Sequence, residues 1–206
     1  MLFNSLEYLL FFILVLTFAW STVGLPKFRL LILLLANYYF YTVNNYWLIL
    51  IFLGSTQIDY WCAIYIEKSK NINKKKLFLS ISVVLNLLIL GFFKYFNFFS
   101  NTIVDIASLI GYKPNWTDLN IILPIGISFY TFQSLSYSID VYRGEIKALK
   151  NWVEYSFFNS FFPQLIAGPI IRPKDFLPQI KSGPKIDVKS LNFALIHIFR
   201  GLLKKI

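Results

Sequence analysis

The sequence predicts an all-α polytopic membrane protein, a single membrane domain over residues 1–206. Its expected parts are five transmembrane helices, a re-entrant or sixth span and the start of a further helix, with the N-terminus outside. Three observations predict this class. Of the 206 residues 57% are hydrophobic and only 15% charged, against about 25% charged in an ordinary soluble domain. The apolar residues fall in long blocks rather than amphipathic stripes. The charges gather in the short stretches between those blocks.

The first span runs from about Leu6 to Leu25. It lacks a basic leading region and an A-x-A-like site, so it is expected to stay as an anchor rather than be cleaved as a signal peptide. The second, Phe28 to Val43, is short. At about 1.5 Å per residue it reaches ~24 Å against a ~30 Å hydrocarbon core, so it should sit shallow or thin the bilayer. The third covers Tyr46 to Ile66, the fourth Leu77 to Phe99 and the fifth Leu123 to Val141.

The loops set the orientation. Gly24 to Arg29, Glu67 to Lys76 and Arg143 to Lys150 are basic, whereas Thr42 to Asn45 carries no charge and Phe99 to Ile122 is nearly neutral. The positive-inside rule puts the basic loops in the cytoplasm. The sixth apolar stretch, Trp152 to Ile171, breaks this alternation, because Arg172, Lys174, Lys181, Lys185 and Lys189 follow it. A crossing would put them outside. A re-entrant segment returning to the cytoplasmic side satisfies the charge rule better than a sixth span kinked at proline. Irregular backbone at membrane depth must be buried in protein or line a wet cavity. Pro163, Gly168 and Pro169 therefore suggest a cavity wall.

The formal charge of +10 does not point to nucleic acid, because it lies in loops beside apolar blocks, where it meets anionic headgroups. The bilayer is the expected partner. The single cysteine, Cys62, lies inside an apolar block and reads as a small buried residue. It can form neither an intrachain disulfide nor a Cys-rich metal site, and no metal site is expected. The sequence contains no phosphate loop, no HExxH, no GxSxG and no Gly-rich dinucleotide turn. Its one histidine, His197, lies in an apolar helical run and reads as a packed or interfacial residue.

The fifth span holds the best polar pattern. Gly126, Tyr130, Gln133, Tyr137 and Asp140 fall at steps of four, three, four and three, which places them on one helical face. Ser128, Thr131, Ser134 and Ser138 line an adjacent face. Pro124 suits a first helical turn, where its missing N–H costs nothing. Such a face packs against other helices or lines a water-filled path. Asp140 and Arg143, one turn apart, can form an ion pair near the cytoplasmic boundary. Gln57 and Asp59 sit near the cytoplasmic end of the third span, where Asp59 can reach the interface. Lys94 lies about two turns from the outer end of its span and can snorkel. Asn115-Trp-Thr117 fits a glycosylation sequon, relevant only in a secretory eukaryotic cell. The Ile-, Asn-, Lys- and Phe-rich composition points instead to an AT-rich bacterial genome.

Several longer motifs keep a common order. They are Leu2-Phe-Asn-Ser-Leu-Glu-Tyr8, Gly91-Phe-Phe-Lys-Tyr-Phe-Asn-Phe-Phe99, Leu123-Pro-Ile-Gly-Ile-Ser-Phe-Tyr-Thr-Phe-Gln133 and Tyr137-Ser-Ile-Asp-Val-Tyr-Arg-Gly-Glu145. Ser160-Phe-Phe-Pro-Gln-Leu-Ile-Ala-Gly-Pro-Ile-Ile-Arg-Pro-Lys-Asp-Phe176 and Gly201-Leu-Leu-Lys-Lys205 complete the set. Together they resemble the membrane-bound O-acyltransferases of the alginate O-acetylation type. The resemblance implies that the chain is the N-terminal part of a larger acyltransferase bundle in a bacterial plasma membrane. Such a bundle moves an acyl group, acetyl for this type, from a cytoplasmic thioester donor such as acetyl-CoA to hydroxyls of an extracytoplasmic polysaccharide, or to a second acyltransferase protein. It binds no resident cofactor.

The histidine on which that chemistry relies lies in a Trp/His-containing segment that no position here matches, and His197 does not take its place. No catalytic residue can be named, and residues 1–206 alone are expected to be inactive. The resemblance makes Tyr130, Gln133, Tyr137, Asp140, Arg143, Pro163, Gln164, Gly168, Pro169 and Arg172 candidates for the substrate path. Arg172 is placed to meet anionic groups of the donor, or lipid headgroups. The alternatives are transfer of D-alanyl or another acyl group to teichoic acid or protein, and a non-catalytic membrane remnant. A transporter would show a repeat relating its halves, and none is visible.

Overall fold

The structure is a computed structural model that describes residues 5–43, 46–109, 111, 121–124, 126–165, 168, 171–182 and 187–204. All regular structure among them is helical: α1 (Leu6–Ser21), α2 (Pro26–Thr42), α3 (Leu48–Lys68), α4 (Ile72–Leu109), α5 (Ile127–Arg143), α6 (Trp152–Ser160), α7 (Phe162–Leu165), α8 (Pro173–Ser182) and α9 (Val188–Leu203). Two of them, α3 and α4, are long and apolar enough to cross a membrane, and α1 is a shorter apolar helix. The expected all-helical, membrane-protein-like class holds. The sequon and Pro169 lie outside the described residues.

The helix ends follow local chemistry. Ser5 caps α1, its Oγ accepting from the Tyr8 N–H at 3.2 Å, and Pro26 opens α2 where its missing N–H has no role. Asn71 starts α4, its Oδ1 accepting from the Asn73 N–H at 2.8 Å. The lysines of the expected Glu67 to Lys76 loop therefore lie largely in the first turns of α4. That helix also runs ten residues past its expected end at Phe99, since nothing between Ser100 and Leu109 breaks it. Its 38 residues reach about 57 Å, nearly twice a ~30 Å core. Lys94 is consequently an exposed mid-helix residue with its Nζ 5.6 Å from the Tyr95 ring centroid, not one two turns from an end.

Two apolar clusters mark the ends of the bundle. One gathers Leu30 and Leu34 from the start of α2, Ala63 and Ile66 from the end of α3, and Tyr137 and Val141 from the end of α5. Ala148, Leu149 and Phe176 join it. The basic connections after α1, α3 and α5 thus sit at one end. The other cluster joins Tyr41, Phe52, Leu90, Ile127, Tyr130 and Leu165.

The stretch from Trp152 to Ile171 is not one helix. The Asn151 side chain caps α6, accepting from the Val153 N–H at 2.9 Å. The helix then stops after nine residues at Ser160, or about 13 Å. Trp152 packs in the first cluster, Leu165 reaches the second, and Ile171 and Phe176 lie in the first again. Pro163 follows the end of α6 and occupies the first turn of α7, where proline is tolerated.

Helix α5 begins later than Pro124 suggests. Pro124 precedes it as a turn residue whose carbonyl accepts from the Ile127 N–H at 3.2 Å, because Gly126 takes a left-handed conformation (φ 71°) at the helix start. A Cβ on Gly126 would lie 2.7 Å from the Leu165 carbonyl oxygen, so α7 docks directly on this backbone. At the far end Gly144 (φ 76°) closes the helix, with the Glu145 N–H donating to Asp140 O at 2.9 Å and the Gly144 N–H to Val141 O at 3.1 Å, the Schellman pattern.

Gly126→Ala should lower stability by about 1–3 kcal/mol through strain and the clash with Leu165. Gly91→Ala, with nothing within 4 Å of its new Cβ, should leave stability unchanged or slightly raised. Thermal unfolding in detergent separates the two; equal melting temperatures would remove the close approach at Gly126.

Candidate functional site

The interior between α2, α3, α4, α5 and α6 is polar. Asp59 on α3 is fully buried. Its carboxylate accepts from Ser82 Oγ at 2.6 Å and from Asn86 Nδ2 at 2.7 and 2.9 Å. Ser82 lies 3.0 Å from Ser138 Oγ on α5. Asp59 does not reach for the interface, as its sequence position suggested; it turns inward to partners on the neighbouring helix. Gln57, two residues away, is exposed. Cys62 is a free, buried side chain on α3, as its apolar surroundings indicated.

A second set of contacts ties α6 to its neighbours. Asn159 Nδ2 donates to Thr56 Oγ1 at 3.0 Å, and Ser134 Oγ donates to Asn159 Oδ1 at 3.1 Å. Asn37 on α2 donates through Nδ2 to Ser160 Oγ at 3.1 Å and accepts at Oδ1 from the Phe162 N–H at 3.2 Å. Gln133 Nε2 donates to the Phe158 carbonyl, and Gln164 Nε2 donates to Gln133 Oε1 at 3.1 Å. Carbonyls in the last turn of a helix lack intrahelical partners. Gln133 meets that need for the Phe158 carbonyl inside the protein.

The residues singled out on α5 share its buried face: Tyr130, Gln133, Tyr137 and Asp140, with Thr131, Ser134 and Ser138 beside them. Tyr130 packs edge-on to Phe52 with centroids 5.0 Å apart. Tyr137 Oη accepts from the Leu149 N–H at 2.7 Å, which holds the loop after α5. The Asp140 Oδ2 and Thr131 Oγ1 atoms are buried with no hydrogen-bond partner among the described residues. Asp140 does not pair with Arg143; that arginine is exposed and sits 3.9 Å from Glu145.

Among the described candidates Gln164 meets Gln133 through its side chain and Gly168 through its backbone. Pro163 is partly buried, and Arg172 is exposed at the start of α8. Gly168 donates its N–H to Gln164 O at 2.8 Å, and a Cβ there would fall 2.6 Å from Gln164 Cα. The glycine is therefore needed for the chain to fold back over Gln164. His197 is exposed, with Nδ1 2.9 Å from Phe193 O. Among the described residues no three His, Cys, Asp or Glu side chains gather as metal ligands would. The arrangement can bind and orient polar groups.

The geometry defines a class first: a helical membrane-type bundle with a hydrogen-bonded polar interior around a broken helix. The chain is 39% identical over 181 residues to the Pseudomonas aeruginosa protein described as "Probable alginate O-acetylase AlgI". A protein of the same description from Azotobacter vinelandii is 39% identical over 154 residues. The Helicobacter pylori peptidoglycan O-acetyltransferase is 32% identical over 207 residues. These matches cover 87%, 74% and 88% of the chain, but only 34%, 31% and 38% of the relatives. The chain thus spans about a third of the length of the curated relatives it matches. No family model and no solved structure matches it. The homology supports membership of the membrane-bound O-acyltransferase family, and with the apolar helices it supports a bacterial membrane protein.

Asn86→Leu strips the Asp59 carboxylate of its amide donor and should cost about 1–3 kcal/mol or more. Replacing both with Leu should recover part of that loss, because no buried polar group is then left unpaired. Unfolding in detergent measures the four-member cycle; strictly additive losses would show that the pair is uncoupled.

Proposed function

We propose that this chain is the donor-side part of a membrane-bound O-acyltransferase. In this reading it helps move an acetyl group from a cytoplasmic thioester such as acetyl-CoA to a hydroxyl of an extracytoplasmic glycan. The observation that carries the reading is the homology across 87% of the chain to relatives whose names share O-acetylation, one of alginate and one of peptidoglycan. In the transfer the thioester C–S bond breaks and an ester C–O bond forms to the acceptor. The hydroxyl proton passes to a base and the thiol leaves protonated.

The residues described above supply placement. Asp59 is engaged by Ser82 and Asn86, and His197 is exposed away from the interior. Neither is placed as the base, so residues 1–206 alone are proposed to be inactive. The Gln133–Gln164 pair and Gly168 form the candidate wall, and Arg172, at the exposed basic end, is the candidate contact for the donor's anionic groups.

The proposed topology is multi-pass in the bacterial plasma membrane, with the basic end cytoplasmic and residues 152–171 re-entrant. What supports the re-entrant reading is that Trp152 and Phe176 share one cluster while Leu165 lies in the other. The single native cysteine allows a direct test. In a Cys62→Ser background, a membrane-impermeant maleimide applied to intact cells should label Tyr46→Cys. It should reach Ser69→Cys, Asn151→Cys and Lys174→Cys only after permeabilisation. Labelling of Lys174→Cys in intact cells would make the segment a crossing.

Membranes containing the whole acyltransferase should transfer labelled acetyl from acetyl-CoA to the cell-surface glycan. Gln133→Leu should slow that transfer about tenfold, the effect of losing one orienting hydrogen bond. An unchanged rate would remove Gln133 from the site. Transfer by residues 1–206 alone, above an unrelated membrane protein, would overturn their inactivity.

A further inference from the structure

A groove of about 1050 Å³ opens between α1, α2, α6 and α8, away from the polar interior. Its walls are mostly apolar, with Val15, Ala19, Leu30, Leu33, Phe157 and Phe162 among them. It is as large as the larger small-molecule pockets, which run to about 1,000 Å³. At the basic end of the bundle, its mouth for a charged headgroup, it is lined by Lys27 and Arg29 from the start of α2 and Glu154 from the start of α6.

Arg29 is the unexpected residue. It lines the groove but is only 8% exposed. No hydrogen bond or ion pair to its guanidinium is found among the described residues, where the one ion pair is that of Arg143 and Glu145. Glu154 shares the groove without approaching to ion-pair distance. Arg29 thus brings to the groove a guanidinium with no acceptor among the described residues, and its fork of donors suits a phosphate. The three charges at the mouth, Lys27, Arg29 and Glu154, leave a net of one positive, which a single phosphodiester neutralises.

We propose that this groove is a binding site for one membrane phospholipid with an anionic headgroup. Its phosphate sits against Arg29 and Lys27, and its acyl chain lies along α1 and α2 toward Phe162. Depth agrees with chemistry: Phe12 to Trp20 on α1 spans about 12 Å, most of one leaflet's hydrocarbon. A protein helix would have to bring a carboxylate to the same depth. The inference requires only that the bundle sits in a bilayer, and it stands whether or not the protein transfers acyl groups.

The test is native mass spectrometry of the 206-residue chain in a mild detergent, titrated with phosphatidylglycerol, phosphatidylcholine or inorganic phosphate. The wild-type chain should hold one phosphatidylglycerol and bind it more tightly than phosphatidylcholine. Arg29→Gln should weaken phosphatidylglycerol about tenfold while changing phosphatidylcholine little. Ala19→Trp, which fills the groove and leaves Arg29 in place, should abolish both. Lys147→Gln, an exposed charge outside the groove, should change neither. If Arg29→Gln does not fold by circular dichroism, Ala19→Trp decides alone. Equal affinity for the two lipids, binding unaffected by Ala19→Trp, a phosphate adduct that displaces lipid, or no lipid adduct on the folded chain would each overturn the site.

Discussion

The rest of the structure depends on one constraint: a helix ends in the middle of the bundle. Residues 155 to 160 of α6 are buried without exception, so no water reaches the carbonyls that its termination leaves unpaired. In a low-dielectric interior each such group costs several kcal/mol if left alone (about 1–3 by mutation). The protein must bring donors and acceptors to that point from other helices. It brings Gln133 from α5 to Phe158 O and Asn37 from α2 to the Phe162 N–H.

Much of the remaining polarity follows from that need. Once Asn37, Gln133 and Asn159 are placed to close the break, their own spare donors and acceptors require partners. Ser160, Gln164, Thr56 and Ser134 meet those demands in turn. The Asp59 group then joins α3 and α4, with Ser138 extending it to α5. The polar face of α5 is therefore held by specific hydrogen bonds along its middle, from Gln133 to Ser138. That bears on function, because a residue that closes a helix end is also rigid. A group meant to orient a substrate must be locked by its neighbours, and Gln133 is locked at both ends of its amide.

The sequence showed the helices well, because hydrophobic blocks and charged connections act over lengths that a linear reading samples. Spacing along α5 correctly placed Tyr130, Gln133, Tyr137 and Asp140 on one buried face. The failures were long-range. Asp59 looked interfacial because its distance to the next charged loop is visible in the sequence, whereas Asn86, 27 residues away, is a partner only in space. Asn37 gave no signal for the same reason; its partners lie more than 120 residues on. Ten extra residues of α4 were missed because loop polarity was taken as a helix end, although no glycine or proline stood there. Pro163 announced the break: it has no N–H to offer the Asn159 carbonyl, and α6 ends just before it, at Ser160.

The break also sets what separates the two faces of α6. Phe157, Phe161, Phe162 and Pro163 face the groove beside α1 and α2, while the Phe158 carbonyl, Asn159 and Ser160 face the polar interior. Helix α2 and residues 157 to 163 together thus form the wall between an apolar groove and a hydrogen-bonded core. Packed interiors transmit displacement because they have little free volume. A shift of Phe162, set in a cluster with Val15 and Phe40, moves the N–H held by Asn37 and the turn that carries Gln164. The Phe162 side chain lines the groove while its backbone N–H is held by Asn37, so the aromatic packing and the polar site meet in one residue.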